Sequence, residues 1–389
     1  MTIPTIRLRP KEEKRILSGH LWVFSNEIAA IEGSPAAGDV VSVKRNGGGH
    51  IGFGFYNPQT LIAVRLFSKE YVEPDKEFFA GRMTSALQLR ETLFHSPFYR
   101  LIHSESDFLP GLIIERFGTL FSVQILSAAM EIRKEIIYGC LREMFEPAAI
   151  YERNEGSSRE LEGLPQSRAI VHGQESTVDY DESGVTFRIN PFSGQKTGFY
   201  FDQRLNRIFS RELASSSSVL DLFSNEGGFA LNMAHAGAGK VVAVDSSLPA
   251  INALQLNLDL NGLKNVRAIA DDVSSFLAKA PEAGEKYDVV VSDPPSFTKN
   301  RKSVPAAKAG YKHLHEAIFS VLKKGGILLT ASCSHHIFRE TFEEVIAAAA
   351  ERSGRTLQLL HRAGASPDHP VLPGMPETEY LKFNAYRVF

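Results

Sequence analysis

The stretch Val219-Leu-Asp-Leu-Phe-Ser-Asn-Glu-Gly-Gly-Phe229 decides the fold of the C-terminal half of this chain. It reads as a short buried strand that runs into a loop with two adjacent glycines and then into a helix. In a doubly wound sheet such a loop lets the backbone approach a ligand closely, and the N-terminus of the following helix favours a negative group. The sequence therefore predicts a ligand site at this loop.

Short apolar strands alternate with helices from Val219 onward, which is typical of a parallel sheet. Glycines mark the predicted ends of the helices between the strands. The predicted strands are Val219–Phe223, Val241–Asp245, Val266–Ala270, Asp288–Asp293 and Ile327–Cys333. We therefore predict an α/β fold with a Rossmann-like sheet for this half of the chain.

Acidic residues at the ends of these strands indicate the kind of ligand. Asp245 ends the second strand, 24 positions after Asp221, where a carboxylate is suited to the hydroxyls of a ribose. The loop lacks the G-x-G-x-x-G pattern of a dehydrogenase, and Asp221 before it suits a cationic amino group, such as the methionine end of S-adenosylmethionine. Asp272 follows the third strand, where it either accepts a hydrogen bond from the adenine amino group or caps the next helix.

Two further residues end neighbouring strands at the same edge. Ser292-Asp-Pro-Pro-Ser-Phe297 must leave the sheet at its prolines, which places Asp293 at the carboxyl edge, and the fifth strand ends there at Cys333. If strands four and five are neighbours, their backbones lie about 5 Å apart. A buried, inert thiol is the alternative interpretation of Cys333, but its setting in Ser-Cys-Ser at the ligand edge favours a nucleophile.

A thiol and a carboxylate at this edge suit methylation of cytosine. Carbon-5 of cytosine is a poor nucleophile until a thiolate adds to carbon-6, so Cys333 would attack carbon-6 while Asp293 holds or protonates the neighbouring ring nitrogen. A base must then remove the carbon-5 proton, and the sequence does not identify it. His335 and His336 follow the cysteine and are candidates to help form the thiolate.

The composition is that of an ordinary folded protein of 389 residues, with 43% hydrophobic residues and a formal net charge of -2. We find no apolar run long enough to span a bilayer, and we expect a cytoplasmic protein with no membrane partner. The two cysteines, Cys140 and Cys333, fit a reducing compartment, and neither belongs to a metal-ligand cluster, so we expect no metal.

The N-terminal part predicts a small β domain, with strands at Asp39–Val43, Ile51–Phe55 and Leu61–Leu66. Basic residues precede the aromatic Leu21-Trp-Val-Phe24, which predicts either an RNA-binding surface or a solvated charged face. A second unit is predicted to hold helices from Phe78 to Leu93 and from about Met130 to Phe145, and a turn-rich stretch from Tyr151 to Gly173. The basic residues are Arg7, Arg9, Lys11, Lys14 and Arg15.

These residues resemble the bacterial RlmI-type methyltransferases, which make 5-methylcytosine in large-subunit ribosomal RNA. The resemblance rests on Gly19-His-Leu-Trp-Val-Phe24, Glu105-Ser-Asp-Phe-Leu-Pro-Gly-Leu112, Lys196-Thr-Gly-Phe-Tyr-Phe-Asp-Gln-Arg204 and Cys333 in Ser-Cys-Ser. It implies an N-terminal β-barrel PUA domain at residues 1–72, a central α+β domain at 73–188 and an S-adenosylmethionine-dependent methyltransferase domain at 189–389. It also implies ribosomal RNA as the partner, and it allows a homodimer.

The resemblance further implies a set of residues on the cofactor side and one catalytic cysteine. Cys333 matches the catalytic cysteine of the family. Related RNA cytosine methyltransferases with two cysteines carry one just after Asp-Pro-Pro, where this chain has Ser296. The segment from Asp368 to Lys382 is expected to form the closing strands and their loop, with no chemical role. The cofactor-side residues are Lys196, Phe199, Asp202, Arg204, Phe223, Ser224, Asn225, Gly227, Asp245, Ser246 and Asp272, with Asp221 from the strand pattern.

Two alternatives remain open at this stage. The first is a methyltransferase of the same fold that acts on a guanine or adenine nitrogen, or on protein, and needs no thiol. The second is a non-catalytic RNA-binding protein in ribosome assembly, against which the acids on the first two strands argue. The loop from Thr298 to Ser303, with Lys299, Arg301 and Lys302, is a further candidate for phosphate contacts or simply a solvated loop.

Overall fold

The structure is a computed structural model that describes residues 3–192, 198–298 and 300–389. Contacts divide the chain into two units, each of which comprises several segments. The first consists of Met1–Val178, Ile189–Phe201 and Pro367–Thr378, and the second of Asp179–Arg188, Asp202–Ser366 and Glu379–Phe389.

The N-terminal part of the first unit is a six-stranded sheet in the order β2-β6-β5-β4-β1-β3. All three predicted strands are present, as β4, β5 and β6, and β1, β2 and β3 were missed. β3 lacks an alternating pattern because its last four residues are exposed, and β1 lies in the basic segment. The elements are β1 (Thr5–Leu8), α1 (Glu13–Leu17), β2 (Trp22–Phe24), β3 (Ile28–Glu32), β4 (Val40–Lys44), β5 (His50–Tyr56) and β6 (Ile62–Ser68).

A second sheet in the same unit has the order β11-β10-β9-β8-β7. The prediction of turns from Tyr151 to Gly173 is wrong, because this stretch contains most of β10 and all of α5 and β11. The charged residues of β10 made this stretch resemble an exposed turn in the sequence. In the structure they are buried and hydrogen-bonded, for example by a bond from Tyr138 Oη to Glu152 Oε2 at 2.5 Å. The elements are α2 (Lys76–Leu93), β7 (Phe98–His103), β8 (Leu112–Phe117), β9 (Leu120–Ile125), α3 (Ala128–Glu131), α4 (Lys134–Phe145), β10 (Ala149–Asn154), α5 (Ser157–Leu161) and β11 (Ser167–His172).

The second unit contains a seven-stranded sheet in the order β16-β15-β14-β17-β18-β20-β19, preceded by the hairpin of β12 and β13. The first five strands are parallel and β20 is antiparallel to both neighbours. The strands are β12 (Val178–Glu182), β13 (Val185–Ile189), β14 (Ser218–Leu222), β15 (Lys240–Asp245), β16 (Val266–Ala270), β17 (Tyr287–Ser292), β18 (Leu322–Ser332), β19 (Leu357–Ala363) and β20 (Lys382–Val388).

Helices flank this sheet and complete the predicted α/β fold. They are α6 (Arg204–Ser210), α7 (Gly228–His235), α8 (Leu248–Asn261), α9 (Val273–Lys279), α10 (Val304–Val321) and α11 (Arg339–Arg352). The core between sheet and helices includes the fully buried Leu220, Val242 and Leu328. The expectation that residues 368–382 form the closing strands and their loop holds for the loop and is wrong for the strands, because in this segment only Lys382 belongs to a strand.

The strand order places the predicted site residues at one edge. β14, with Asp221, has β15 on one side and β17 on the other, and β18 lies beside β17. In a sheet of this topology, ligands bind at the carboxyl ends of the strands, where the strand order reverses. Here that point lies between β14 and β17, so the loops that follow these strands form the candidate site.

Candidate active site

The loop after β14 has an unusual backbone. Phe223, Asn225 and Gly227 have φ angles of 61°, 47° and 87°, in the left-handed region that residues with a side chain rarely adopt. A Cβ atom on Gly227 would lie 2.4 Å from Leu231 Cδ1, so only glycine fits there. Strained residues clustered in a loop indicate a functional constraint on its shape.

Asp221 lies within β14, where its side chain is 1% exposed. Its Oδ2 accepts a hydrogen bond from the backbone N–H of Ala230 at 2.9 Å. Burial raises the pKa of the Asp221 carboxyl to about 8, and the charges of Asp293 and Asp245 act in the same direction. A buried acid among other acids is suited to a cationic partner, because a positive charge would relieve both the burial and the repulsion.

Asp245 ends β15 and holds the loop in place. Its Oδ2 accepts the N–H of Asn225 at 2.9 Å and its Oδ1 accepts the N–H of Ser247 at 2.8 Å. Each carboxylate oxygen has a second lone pair, so both remain able to accept a ribose hydroxyl. Ser246, beside it, is exposed.

Several buried polar atoms near this loop lack a hydrogen-bond partner among the residues that the structure describes. They include Ser224 Oγ, Asn225 Oδ1 and Ser292 Oγ. A buried polar atom without a partner costs about 1–3 kcal/mol, so such atoms point to an outside partner. Together with the acids at the ends of β14 and β15, they fit a cofactor that carries an ammonium group and ribose hydroxyls.

Other predicted cofactor-side residues have structural contacts of their own. Asp272 is exposed and caps α9, with its Oδ1 accepting the N–H of Ser275 at 2.9 Å, so the capping role is present. Phe199 belongs to the first unit and packs on Phe201, with 5.3 Å between ring centroids. Lys196 lies outside the described residues.

Asp202 and Arg204 lie in the second unit and are buried. Asp202 Oδ2 accepts a hydrogen bond from Tyr380 Oη at 2.6 Å, and its Oδ1 has no partner in the described ranges. The guanidinium of Arg204 lies over the ring of Tyr180, 5.6 Å from its centroid.

The structure brings Asp293 and Cys333 together, as predicted. Ser292 of β17 is opposite Thr330 of β18, and both strands end before the two functional candidates. The Sγ atom of Cys333 lies 4.0 Å from the carbonyl oxygen of Pro294, in the turn that follows Asp293. Cys333 is partly exposed, whereas Cys140 is buried in α4, so only Cys333 is open to a substrate.

The two serines beside Cys333 explain why the thiol faces the site. Ser332 and Ser334 are fully buried, and Tyr311 Oη lies 2.9 Å and 3.1 Å from their respective hydroxyl oxygens. Ser296 Oγ, at the position of the second cysteine in related enzymes, lies 3.2 Å from Ser334 Oγ. The side chains of Ser332 and Ser334 are held in the protein interior by Tyr311, and the side chain of Cys333 between them is partly exposed.

Three residues of this site were missed from the sequence. Gln203 donates from Nε2 to Asp293 Oδ2 at 2.9 Å, and Tyr311 on α10 anchors the serines. Lys382 begins β20 and is 2% exposed. Gln203 and Lys382 lie within stretches quoted for the resemblance but without an assigned role, and nothing in the sequence near Tyr311 indicates its contact.

The N-terminal basic cluster divides into two groups in the structure. Arg15 forms an ion pair with Glu27 at 2.7 Å, and Arg7 pairs with Glu32. Trp22 Nε1 donates to Glu105 at 2.8 Å, so its polar edge is already engaged. The second group consists of Arg9, Lys11 and Lys14, whose side chains are exposed to solvent.

The described ranges contain no group of three or more His, Cys, Asp or Glu residues arranged to hold a metal ion. No helix in these ranges combines the length and the apolar character needed to cross a bilayer.

Comparison with known proteins identifies two families along the chain. Residues 6–69 match the PUA-like domain, and residues 167–381 match the S-adenosylmethionine-dependent methyltransferases. Both matches confirm predictions from the sequence, including the cofactor and the methyltransferase activity.

Three relatives that align over nearly their whole length share the name ribosomal RNA large subunit methyltransferase I. The protein from Klebsiella pneumoniae (strain 342) is 36% identical over 99% of this chain and 98% of its own length. That from Aeromonas salmonicida is 37% identical over 95% and 96%, and that from Vibrio vulnificus is 36% identical over 97% and 97%.

Solved structures agree on the fold. The crystal structure of SMU.776 complexed with SAH superposes with a TM-score of 0.87 at 20% identity, over 99% of this chain and all of that one (100%). A second structure, of a Streptococcus mutans protein described as a SAM-dependent methyltransferase, has a TM-score of 0.85 at 20% identity, with coverage of 99% and 100%.

The methyltransferase family covers more than half of the chain, and relatives above 30% identity align over nearly all of it. This chain therefore belongs to the ribosomal RNA large subunit methyltransferase I family of S-adenosylmethionine-dependent methyltransferases.

Proposed function

We propose that this enzyme transfers a methyl group to carbon-5 of a cytosine in the ribosomal RNA of the large subunit, through a covalent adduct of Cys333. The observation that carries this proposal is the position of Cys333, partly exposed and with its Sγ 4.0 Å from the carbonyl of Pro294 in the Asp-Pro-Pro turn. The names of the full-length relatives support ribosomal RNA as the substrate.

The reaction uses the two residues at the ends of β17 and β18. The thiolate of Cys333 adds to carbon-6 of the cytosine, and Asp293 holds or protonates the ring nitrogen beside the exocyclic amine. Carbon-5 then gains electron density and forms the new bond to the methyl group that bound S-adenosylmethionine would supply, while the bond between this methyl group and the sulfonium sulfur breaks and the thioether is the leaving group. After a base has removed the carbon-5 proton, the ring re-forms its double bond and expels the thiolate, and any proton placed on the ring nitrogen returns to Asp293.

Gln203 has a role in this scheme that follows from its hydrogen bond. Its amide Nε2 donates to Asp293 Oδ2 at 2.9 Å. The amide thus orients the carboxyl relative to the base and cannot itself exchange a proton at neutral pH.

Bound S-adenosylmethionine supplies an electrophilic methyl group on its sulfonium. We assign its ammonium to Asp221 and its ribose to Asp245, with the adenine end near Asp272. The contacts of Phe223, Ser224, Asn225, Gly227 and Ser246 follow from their place in the two loops, and the unpartnered oxygens of Ser224 and Asn225 support them. Lys196, Phe199, Asp202 and Arg204 complete the proposed set on the strength of the resemblance.

The domain assignment and the partners are part of the same proposal. Residues 1–72 would bind RNA, with 73–188 as a central domain and 189–389 as the catalytic domain. The PUA-like match at residues 6–69 and the exposed Arg9, Lys11 and Lys14 support an RNA-binding N-terminus. A cytoplasmic location, which rests on the composition and the two cysteines, and a homodimer, which rests on the resemblance, are the remaining elements.

The proposal is tested by RNA that contains 5-fluorocytosine. Fluorine cannot leave as a proton does, so the adduct between carbon-6 and Cys333 should persist and be found by mass spectrometry on the peptide that contains Cys333. Cys333→Ala should form no adduct and no methylated RNA while still binding cofactor. Cys140→Ala, which changes the buried cysteine of α4, is the matched control and should form the adduct.

Each negative outcome has its own meaning. Turnover retained by Cys333→Ala would exclude the covalent mechanism and favour methylation of a purine nitrogen or of protein. No binding of S-adenosylmethionine by the intact protein would favour the non-catalytic RNA-binding role.

A further inference from the structure

A buried lysine lies against the segment that carries the proposed nucleophile. Lys382, the first residue of β20, is opposite Ser332 of β18, and it is 2% exposed. Its Nζ donates to the carbonyl oxygens of Ser334 and Tyr380, both at 2.7 Å. Ser334 immediately follows Cys333, so the ammonium is fixed beside the Ser-Cys-Ser turn.

The charge of this lysine is not neutralised by its hydrogen bonds. Both acceptors are neutral carbonyls, and a buried ammonium without an anion nearby is expensive. Glu379 is the carboxylate whose charge acts on Lys382, but it forms an ion pair with Arg339 at 2.9 Å and is 47% exposed. The charges of Arg339 and Glu379 oppose each other, so Cys333 remains as the ionisable group that would balance Lys382.

We propose that Lys382 is a positioning residue whose ammonium stabilises the thiolate of Cys333 before attack and again when the thiolate is expelled. This inference rests on the proposed covalent mechanism, because only a thiolate nucleophile needs a counter-charge here. The thiol proton passes to solvent when Cys333 ionises, and Lys382 keeps its proton throughout. No bond to Lys382 forms or breaks.

Two other ionisable groups near the thiol, Tyr311 and Asp293, do not supply this positive charge. Burial raises the pKa of Tyr311 to about 12, so this phenol stays neutral near pH 7. Asp293 is acidic and would oppose ionisation of the thiol. His335 is exposed and its ring packs near Tyr380, with 5.6 Å between centroids, while His336 is partly buried.

Burial lowers the pKa of Lys382 to about 8, and the charge of Cys333 opposes this shift. At pH 7 the lysine is therefore still mainly an ammonium, and its charge falls as the pH rises through 8. The ammonium of Lys382 in turn favours the thiolate form of Cys333, because opposite charges favour each other's ionised form.

The test is the pH dependence of alkylation of Cys333 by iodoacetamide, read by mass spectrometry for each cysteine. Native Cys333 should react with a midpoint below that of the same residue in the urea-unfolded chain. In Lys382→Met the midpoint should rise, and the rate at pH 7 should fall about tenfold, as expected for loss of a cation beside a thiol. Lys382→Arg, which keeps the charge, should restore most of the rate.

Cys140 provides the internal control for folding, since its 1% exposure means that it reacts only when the protein opens. A native midpoint equal to or above the unfolded one would overturn the inference even if the Lys382→Met variant does not fold. An unchanged midpoint in a folded Lys382→Met variant would also overturn it. Trapping with 5-fluorocytosine is measured separately, so a missing adduct with a shifted midpoint would refute the covalent mechanism but not the charge effect.

Discussion

Replacing Asp221 with asparagine should stabilise the protein and weaken cofactor binding. The side chain lies within β14 and is 1% exposed, and its Oδ2 accepts the N–H of Ala230. Asparagine has nearly the same shape, and its oxygen accepts the same hydrogen bond. The substitution therefore removes an ionisable group and changes little else.

The size of the stabilisation follows from the pKa. Burial raises the pKa of Asp221 to about 8, whereas an unfolded aspartate has a pKa of about 3.9. Between these values the folded protein keeps a proton that the unfolded chain has released, so the free energy of unfolding falls as the pH rises. At about 1.36 kcal/mol per pH unit the loss at pH 7 reaches about 4 kcal/mol as an upper bound.

The stability assay is denaturant unfolding of the cofactor-free protein at several pH values. Asp221→Asn should equal the wild type near pH 4 and exceed it by a margin that grows up to about pH 8. The matched control is Asp259→Asn on α8, which removes an exposed carboxylate and should show no such margin. An equal stability of wild type and Asp221→Asn from pH 4 to pH 8 would refute the reasoning.

The binding assay is calorimetry with S-adenosylhomocysteine, which keeps the ammonium group and is chemically stable. The wild type should release a proton on binding below about pH 8, because the ligand's ammonium favours the carboxylate. Asp221→Asn should release none and bind roughly 10- to 150-fold more weakly, as for a lost charge-assisted hydrogen bond worth about 1.5–3 kcal/mol. Affinity unchanged by the substitution would show that the ammonium binds elsewhere.

Three further predictions concern the same unit. Gly227→Ala should destabilise the protein by about 2–5 kcal/mol in thermal unfolding, because the backbone there is left-handed and the added Cβ would lie 2.4 Å from Leu231. The control is Gly237→Ala, where φ is 91° but the space around the added Cβ is open, and this substitution should cost only about 1–2 kcal/mol. Gln203→Leu should lower the rate of methylation about 5- to 30-fold through loss of its bond to Asp293, with cofactor affinity unchanged in calorimetry, and a full rate would contradict this role. Arg207→Met should lower the free energy of unfolding by about 3–5 kcal/mol in denaturant unfolding, because it leaves Glu182, which is only 1% exposed, without the cation of its ion pair. A loss below about 1 kcal/mol would contradict the importance of this pair.

The architecture of the catalytic half could be predicted because its signals are local. Four of the five predicted strands match β14, β15, β16 and β17 to within one residue at each end, and the fifth, β18, begins at Leu322 rather than at Ile327. β10 shows the opposite case. Its charged side chains, such as Glu152, look like a surface turn until the partners that bury them, such as Tyr138, are brought near by folding.

The sequence by itself determined the α/β fold, the acids of β14 and β15, and the candidacy of Cys333, because strand ends and turn residues are encoded within a few positions of each other. Only the tertiary structure decided what surrounds the thiol. Gln203 lies just before α6, Tyr311 lies on α10 and Lys382 on β20, and Lys382 is 49 positions after Cys333. Antiparallel pairing of β20 with β18 brings that lysine beside the nucleophile, and such long-range pairing leaves no periodic signal in either segment.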